Sequence, residues 1–459
     1  MKLFHLLFSA SLCLSLLPLK TMGWSEHPML VGPSLQALPV WGSLAPVQAK
    51  SLTHFLMDNE TELAAFLADQ EIWLKDHLPN YLSRPESLAF VATEKKEDIL
   101  KRFFYAIRLN PAVKLPLYLH LLPSDSFGTH AVALPQHITT LSKLGVMAHT
   151  RYVFLEEGEY VSAFEVLRTA SDEPDYGFDL GLFENNSTDY GKIYGFGKQP
   201  FGNPNLEYGS QAPFHMGFYH ESKILYAFGP FLKNTFADYR INLYRALSLF
   251  AFQQGEDYWG WRFMGWSMHH LGDLSMPYHS KPLPAVSTLK MIWINLKAML
   301  GWKQSKTDAV QLVSNKHTVL EEFQWEELRK ALTENDLQHP FLRALSQPDE
   351  IIPYSDHFIY DVVSKKAADQ SISCNDALLK FVPQRFVSDP SIEVGDLPEM
   401  DHLVEVIRSE KGEAAVNGLN EAIAERMRSF SMAMRSFLDN MLLEIHRSKA
   451  KTTLSKTHV

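Results

Sequence analysis

The sequence predicts an all-α protein, a multi-helix bundle followed by a further, mostly helical C-terminal region. Apolar residues recur at three- and four-residue intervals over long stretches, the period of helices that bury one face. Strand-type alternation is scarce. Residues 231–274 form one such stretch and include Tyr258, Trp259, Trp261 and Trp266, the kind of bulky side chains that fill the core of a bundle.

The chain opens with Met1-Lys2, an apolar run from Leu6 to Leu19, and then Lys20-Thr21-Met22-Gly23. This charged, apolar, small-residue order predicts a secretory signal peptide over residues 1–23, cleaved before Trp24, and hence a secreted protein. The apolar run falls short of the roughly 20 residues a spanning helix needs. Cleavage removes Lys2 and Lys20 and no acid, which takes the net charge from −10 to −12. Such an acidic chain is not a polyanion-binding module, so no nucleic-acid partner is expected. Cleavage also removes Cys13 and leaves Cys374 without a disulfide partner. A bound metal is then a candidate brace.

Residues 24–41 hold three prolines and one glycine, which predicts an irregular arm on the surface. Helices are expected over 52–82, 97–109 and 139–167. Between 171 and 214 the composition shifts to Gly, Asn, Tyr, Pro and Asp, which predicts a long ordered loop of the kind that carries function. Residues 285–302 predict a helix that is apolar over much of its surface. It is either a buried core helix or a flap whose Trp, Met and Ile residues touch a membrane. Further helices follow from 324 onward, with an irregular stretch near 388–398 and a long final helix.

The chemistry lies in the histidines and acids. Clustered zinc ions ease the attack on a phosphoester, in which nucleophile and phosphate are both negative, and zinc favours imidazole nitrogen and carboxylate oxygen. One helical His-x3-acid pair is weak evidence. With 19 His and 53 acids in 459 residues, chance gives roughly two such pairs. The chain has four: His54/Asp58, His269/Asp273, His317/Glu321 and His357/Asp361. Two of these are expected to be exposed helix pairs, and spacing alone does not choose between His269 and His270 as the partner of Asp273.

The compound pattern is more specific: His269-x3-Asp273-x5-His279, with Met276-Pro277-Tyr278 before the last His, followed by His317-x3-Glu321. The run Met268-His269-His270-Leu271-Gly272-Asp273-Leu274-Ser275-Met276-Pro277-Tyr278-His279 resembles the central motif of the bacterial zinc-dependent phospholipases C, whose fold is shared with single-strand-specific nucleases. That resemblance implies a helical enzyme with three zinc ions and a mature N-terminal Trp as a ligand, which Trp24 would be. It makes His269 and Asp273 ligands of a first zinc, completed by an Asp and a His from an earlier loop. Asp172 is the first choice for that Asp, which also lies where the attacking water could be deprotonated; Asp175 and Asp179 stand nearby. His215 is the first choice for that His, with His220 second. His279, His317 and Glu321 would hold a second zinc. Asp273, Trp24 and an early His would hold the third, the early His being His27 or, failing that, His54.

The resemblance covers residues 24–325, read as the catalytic domain, and leaves 326–459 as a helical region of unread role. The length of the chain, the spacing between motifs and the long tail look like the larger secreted phospholipases C of Gram-negative bacteria. The expectation is a phospholipase C that acts at a phospholipid membrane surface, phosphatidylcholine first, with no obligate protein partner. A zinc-dependent single-strand nuclease and a non-catalytic, zinc-stabilised lipid-binding protein are the alternatives. Glu321 rather than Asp as the last ligand, the missing disulfides and the apolar helix near the site all resemble the lipase branch.

Overall fold

The computed structural model describes residues 24–93, 95–348 and 351–456. The expected signal peptide, residues 1–23, lies outside the described residues. The protein is mostly helical, with 62% of residues in helices and 3% in strands, in agreement with the all-α expectation. No helix among the described residues is long and apolar enough to cross a membrane.

The centre of the fold is the helix Asp257–Leu274, in which every residue from Tyr258 to Leu274 is buried. It packs against Ala237–Gln254 on one side and Ala163–Ala170 on another. Burial all round is what a helix needs when other helices surround it, and it explains a motif segment rich in Trp, Phe, Met and Gly. Phe263 and Trp266 meet edge-to-face with centroids 4.9 Å apart, and Trp266 and Phe178 likewise at 4.8 Å. Two buried arginines tie surrounding loops to this core. Arg262 holds Glu173 at 2.7 Å, and Arg240 holds Asp179.

Two sequence expectations are corrected. The 24–41 segment is not an irregular surface arm: it contains the helix His27–Leu35, of which all but Pro33 is buried, followed by the short 3-10 turn Pro39–Ser43. Pro28 sits in its first turn, where a missing N–H costs nothing, whereas Pro33 lies near its C-terminal end and removes one helical hydrogen bond. The 139–167 segment is not one helix either. It contains the strands Arg151–Phe154 and Tyr160–Val161 and only the start of Ala163–Ala170. Arg151–Phe154 is the middle strand of a small antiparallel sheet with Tyr118–Leu121 and Val132–Ala133. Tyr160–Val161 pairs with Val47–Gln48. Strands this short show too few alternations to stand out against a helical period.

The expected boundary at 325/326 falls inside the helix Gln304–Glu334. Beyond it, Pro340–Ser346 and the final helix Glu413–Lys456 pack on each other and on His27–Leu35, and Arg435 donates to the Ser34 carbonyl at 2.8 Å. The two ends of the described chain thus share one core. The 285–302 expectation is met by the helix Thr288–Met299, which buries Met291, Ile294 and Ala298 while Leu289 and Trp293 stand 81% and 56% exposed. It is therefore a covering helix with a wet apolar outer face, not a core helix.

Candidate metal centre

Burial separates the four His-x3-acid pairs. His54/Asp58 and His357/Asp361 are exposed, whereas His269/Asp273 and His317/Glu321 are buried. His54 pairs with Glu157 on the surface, and the His220 ring is spent on the Tyr360 carbonyl at 3.0 Å. Neither belongs to a ligand group.

Around the buried pairs, side chains from distant parts of the sequence form three groups able to hold a metal ion: His215, His269, His270 and Asp273; His27, Asp175 and His269; and His279, His317 and Glu321. Asp273 is their hub. Its Oδ2 lies 2.8 Å from His215 Nδ1 and 3.3 Å from His269 Nε2, while its Oδ1 lies 3.4 Å from His27 Nε2 and 3.9 Å from His279 Nδ1.

Backbone carbonyls set the imidazole orientations. His269 Nδ1 donates to the Ser171 carbonyl and His279 Nδ1 to the His215 carbonyl, each at 2.8 Å, so both rings present Nε2 as a lone pair. This is the usual way in which a protein fixes a metal-binding tautomer. The last group follows from one helical turn: His317 Nε2 and Glu321 Oε1 are 2.9 Å apart on Gln304–Glu334, and the His279 ring stands edge-on to His317 at 5.0 Å.

The donor set fits a cation. Both His27 nitrogens, Asp175 Oδ2, Asp273 Oδ1, His279 Nε2 and Glu321 Oε1 are buried without a hydrogen-bond partner among the described residues. So many orphaned lone pairs converging in one place are costly unless something positive satisfies them. The electrostatics agree. Burial alone would depress His269, yet the Asp175 and Asp273 carboxylates outweigh it and hold the imidazole well above its usual range. Burial alone would raise Asp273, yet the neighbouring His269, His215 and His27 rings hold it well below. Glu321 is pushed far up by burial and then by Glu322, Asp175 and Asp273, while burial takes His279 down to about 4. A divalent cation reverses both penalties, pairing with carboxylates and neutral imidazoles together.

Of the three candidate loop acids, Asp175 lies within a ligand group. Its Oδ1 is 3.5 Å from His269 Nε2 and 3.8 Å from His215 Nδ1. Asp172, the first choice from the sequence, stands one step back. It accepts from the His27 backbone N–H at 3.0 Å and from the Tyr176 hydroxyl at 2.6 Å, and it lies 3.7 Å from His120. Its carboxylate is held to about 2, since these partners, led by His27, outweigh burial. Asp179 gives its Oδ1 to Arg240, while its Oδ2, without a hydrogen-bond partner among the described residues, lies 3.8 Å from His215 Nε2. The acids sit on and beside the 3-10 turn Glu173–Tyr176, which Gly177 closes at φ 100°. A Cβ there would stand 2.1 Å from Thr140 Oγ1, so both the backbone and the space require glycine.

Trp24 is fully buried at the edge of this centre. Its Nε1 donates to Ser275 Oγ at 3.0 Å, and its ring meets Phe430 edge-on at 6.4 Å. Gly272 of the motif makes that closure possible. A Cβ there would lie 2.6 Å from the Phe430 ring and 3.3 Å from His27. His120, Tyr176 and the Ser171 carbonyl are the residues that sequence reasoning missed. His270, set aside in favour of His269, lies within the first group, with its ring stacked on Tyr244 at 5.7 Å.

Comparison with protein-family models, with curated proteins and with solved structures found no match for this chain.

Proposed function

We propose that the protein is an exported, zinc-dependent phospholipase C that hydrolyses glycerophospholipids, phosphatidylcholine first, to diacylglycerol and a phosphorylated headgroup. The observation that carries this reading is the set of three adjoining buried ligand groups arranged about Asp273. Imidazole and carboxylate donors without thiolate suit zinc. His27 beside Asp273, and Trp24 packed with His27 on Phe430, support the same reading.

Bound in these groups, zinc ions would acidify water and neutralise phosphate charge. The chain holds the donors and handles the proton. Asp175, Tyr208, Gln211, His215 and His279 line a cleft over the centre. Asp175 Oδ2, which has no hydrogen-bond partner among the described residues, is the acceptor for the proton of the attacking water. The Tyr208 hydroxyl, equally free and kept protonated above all by burial, donates to a phosphate oxygen. Asp172 positions His27 rather than touching the reacting atoms.

A lipid is favoured over a nucleic acid by the net charge of −10 and by the exposed Leu289, Trp293, Met299, Leu300 and Trp302 on and after the covering helix. The test is zinc-loaded protein incubated with phosphatidylcholine mixed micelles and, separately, with single-stranded DNA. Phosphocholine release that is lost in a folded Asp273→Asn variant is expected. Degradation of the DNA without lipid hydrolysis would overturn the proposal in favour of the nuclease, and lipid binding without hydrolysis would favour a non-catalytic role.

A further inference from the structure

Beside the metal centre lies a second cavity, about 990 Å³ including its mouth. Its walls are almost wholly apolar: Met216, Phe218, Leu225, Met291, Ile294 and Val313 among others. It adjoins the centre directly. Ala212 and Met216 line both this cavity and the cleft over the metal ligands, and His317 forms part of its wall. Several of its wall residues, from Ala212 to Met291, form a hydrophobic cluster of their own, separate from the main core. They pack around the space rather than filling it. An apolar cavity that opens to water beside the ligand cluster has the character of a ligand site rather than a packing defect.

Polar groups in the wall are few: Tyr278, Asn295, Lys306, Ser314 and His317. Lys306 lies on the cavity wall with its ammonium over the Phe231 ring at 5.6 Å and with no hydrogen-bond partner for Nζ among the described residues. Burial brings the amine down to about 8. An unpartnered donor in an apolar wall calls for a single acceptor on an otherwise apolar ligand.

Resting on the phospholipase reading, we propose that this cavity holds one acyl chain of the lipid, with the ester carbonyl accepting from Lys306 Nζ, so that the phosphate is presented in the adjoining cleft. The wall formed by Met291 and Ile294 belongs to the covering helix whose other face exposes Leu289 and Trp293. A chain leaving a bilayer at that helix would pass from one apolar surface to another with little exposure to water. The substrate class this selects is a long-chain acyl ester of glycerol phosphate, in preference to soluble phosphodiesters.

The experiment uses the intact protein and two readouts. The first is equilibrium binding of a fluorescent fatty acyl probe, which has no phosphoester to hydrolyse, to the zinc-loaded protein. The second is the ratio of turnover on long-chain phosphatidylcholine to turnover on p-nitrophenylphosphocholine, which has no acyl chain. Val313→Trp, which fills the cavity, is expected to weaken the probe at least tenfold and to lower the turnover ratio at least tenfold. Should Val313→Trp fail to fold by circular dichroism, Ala309→Phe serves in its place. Lys306→Met is expected to weaken binding of a diacyl phosphatidylcholine more than binding of the dialkyl-ether phosphatidylcholine of the same chain length, which lacks the ester carbonyls. Equal losses on both would remove Lys306 from the proposal. Undiminished probe binding in the filled variant would overturn the cavity assignment. Probe binding that is blocked by Val313→Trp in a protein that hydrolyses no lipid would instead overturn the phospholipase reading and leave the acyl site standing. Tight binding of free fatty acid, with no loss on the long-chain ester in the filled variant, would assign the cavity to a free fatty acid rather than to the substrate.

Discussion

His27 Nε2 lies 3.4 Å from Asp273 Oδ1, which joins the first helix of the described chain to the central motif helix at the heart of the ligand cluster. Neither His27 nitrogen has a hydrogen-bond partner among the described residues. The contact holds because Asp172 anchors the His27 backbone from one side and Phe430 packs on its ring from another.

Tyr176→Phe removes a hydroxyl that donates to Asp172 at 2.6 Å and meets the Tyr152 hydroxyl at 2.8 Å. Loss of a buried hydrogen bond to a charged group costs about 1.5–3 kcal/mol. Denaturant unfolding should show that loss. Zinc affinity should fall by about tenfold, as for other outer partners of metal ligands. Unchanged zinc affinity would detach Asp172 from the centre.

Phe430→Ala removes the ring that packs on both Trp24 and His27. A cavity at this position costs about 3–5 kcal/mol. Thermal unfolding should register it, and zinc content should drop although Phe430 is no ligand. Full zinc content would mean that the final helix does not brace the N-terminal segment.

Much of this was legible from the sequence, and what was missed has identifiable causes. The helical class and the motif helix follow from a long, sustained period. His279, His317 and Glu321 come together as expected: His317 and Glu321 are one turn apart on the long helix Gln304–Glu334, and His279 lies on the short helix Pro277–Ser280. The choice among Asp172, Asp175 and Asp179 was not legible. These acids lie on and beside a 3-10 turn after a helix end, where one residue of slip redirects a side chain, and Arg240, far along the chain, engages one oxygen of Asp179. His120 was hidden because it sits in a strand buried on both faces, Tyr118–Leu121, which shows no alternation. The burial of residues 27–35 depends on Glu413–Lys456 closing over them, a contact no local pattern announces.

Glu26 gives a pH signature. Burial above all, reinforced by Asp172 and opposed by the Thr150 hydroxyl, pushes its carboxyl from 4.5 up to about 7. A raised folded-state pKa contributes stability below the unfolded value and loses it as pH rises through the folded one, so this contribution fades between about pH 4.5 and 7. Glu26→Gln keeps an acceptor for Thr150 and removes the titration. Its melting temperature relative to the parent should therefore rise from pH 4.5 to pH 7; a constant difference would rule out the shift.

Trp293 stands exposed on the covering helix. Trp293→Ala should lower activity on phosphatidylcholine vesicles several-fold more than on a soluble phosphodiester, since an interfacial Trp acts only where there is an interface. Equal losses would assign the residue to packing.

The most direct test of the central claim is the metal content of the purified protein, measured by mass spectrometry for the parent and for Asp273→Asn. The phospholipase reading predicts about three zinc ions per chain in the parent, and the variant, which lacks the Asp273 carboxylate of the first ligand group, should lose at least one of them while remaining folded. A parent that takes up no zinc, or a variant that retains the full content, would contradict a metal centre built on Asp273.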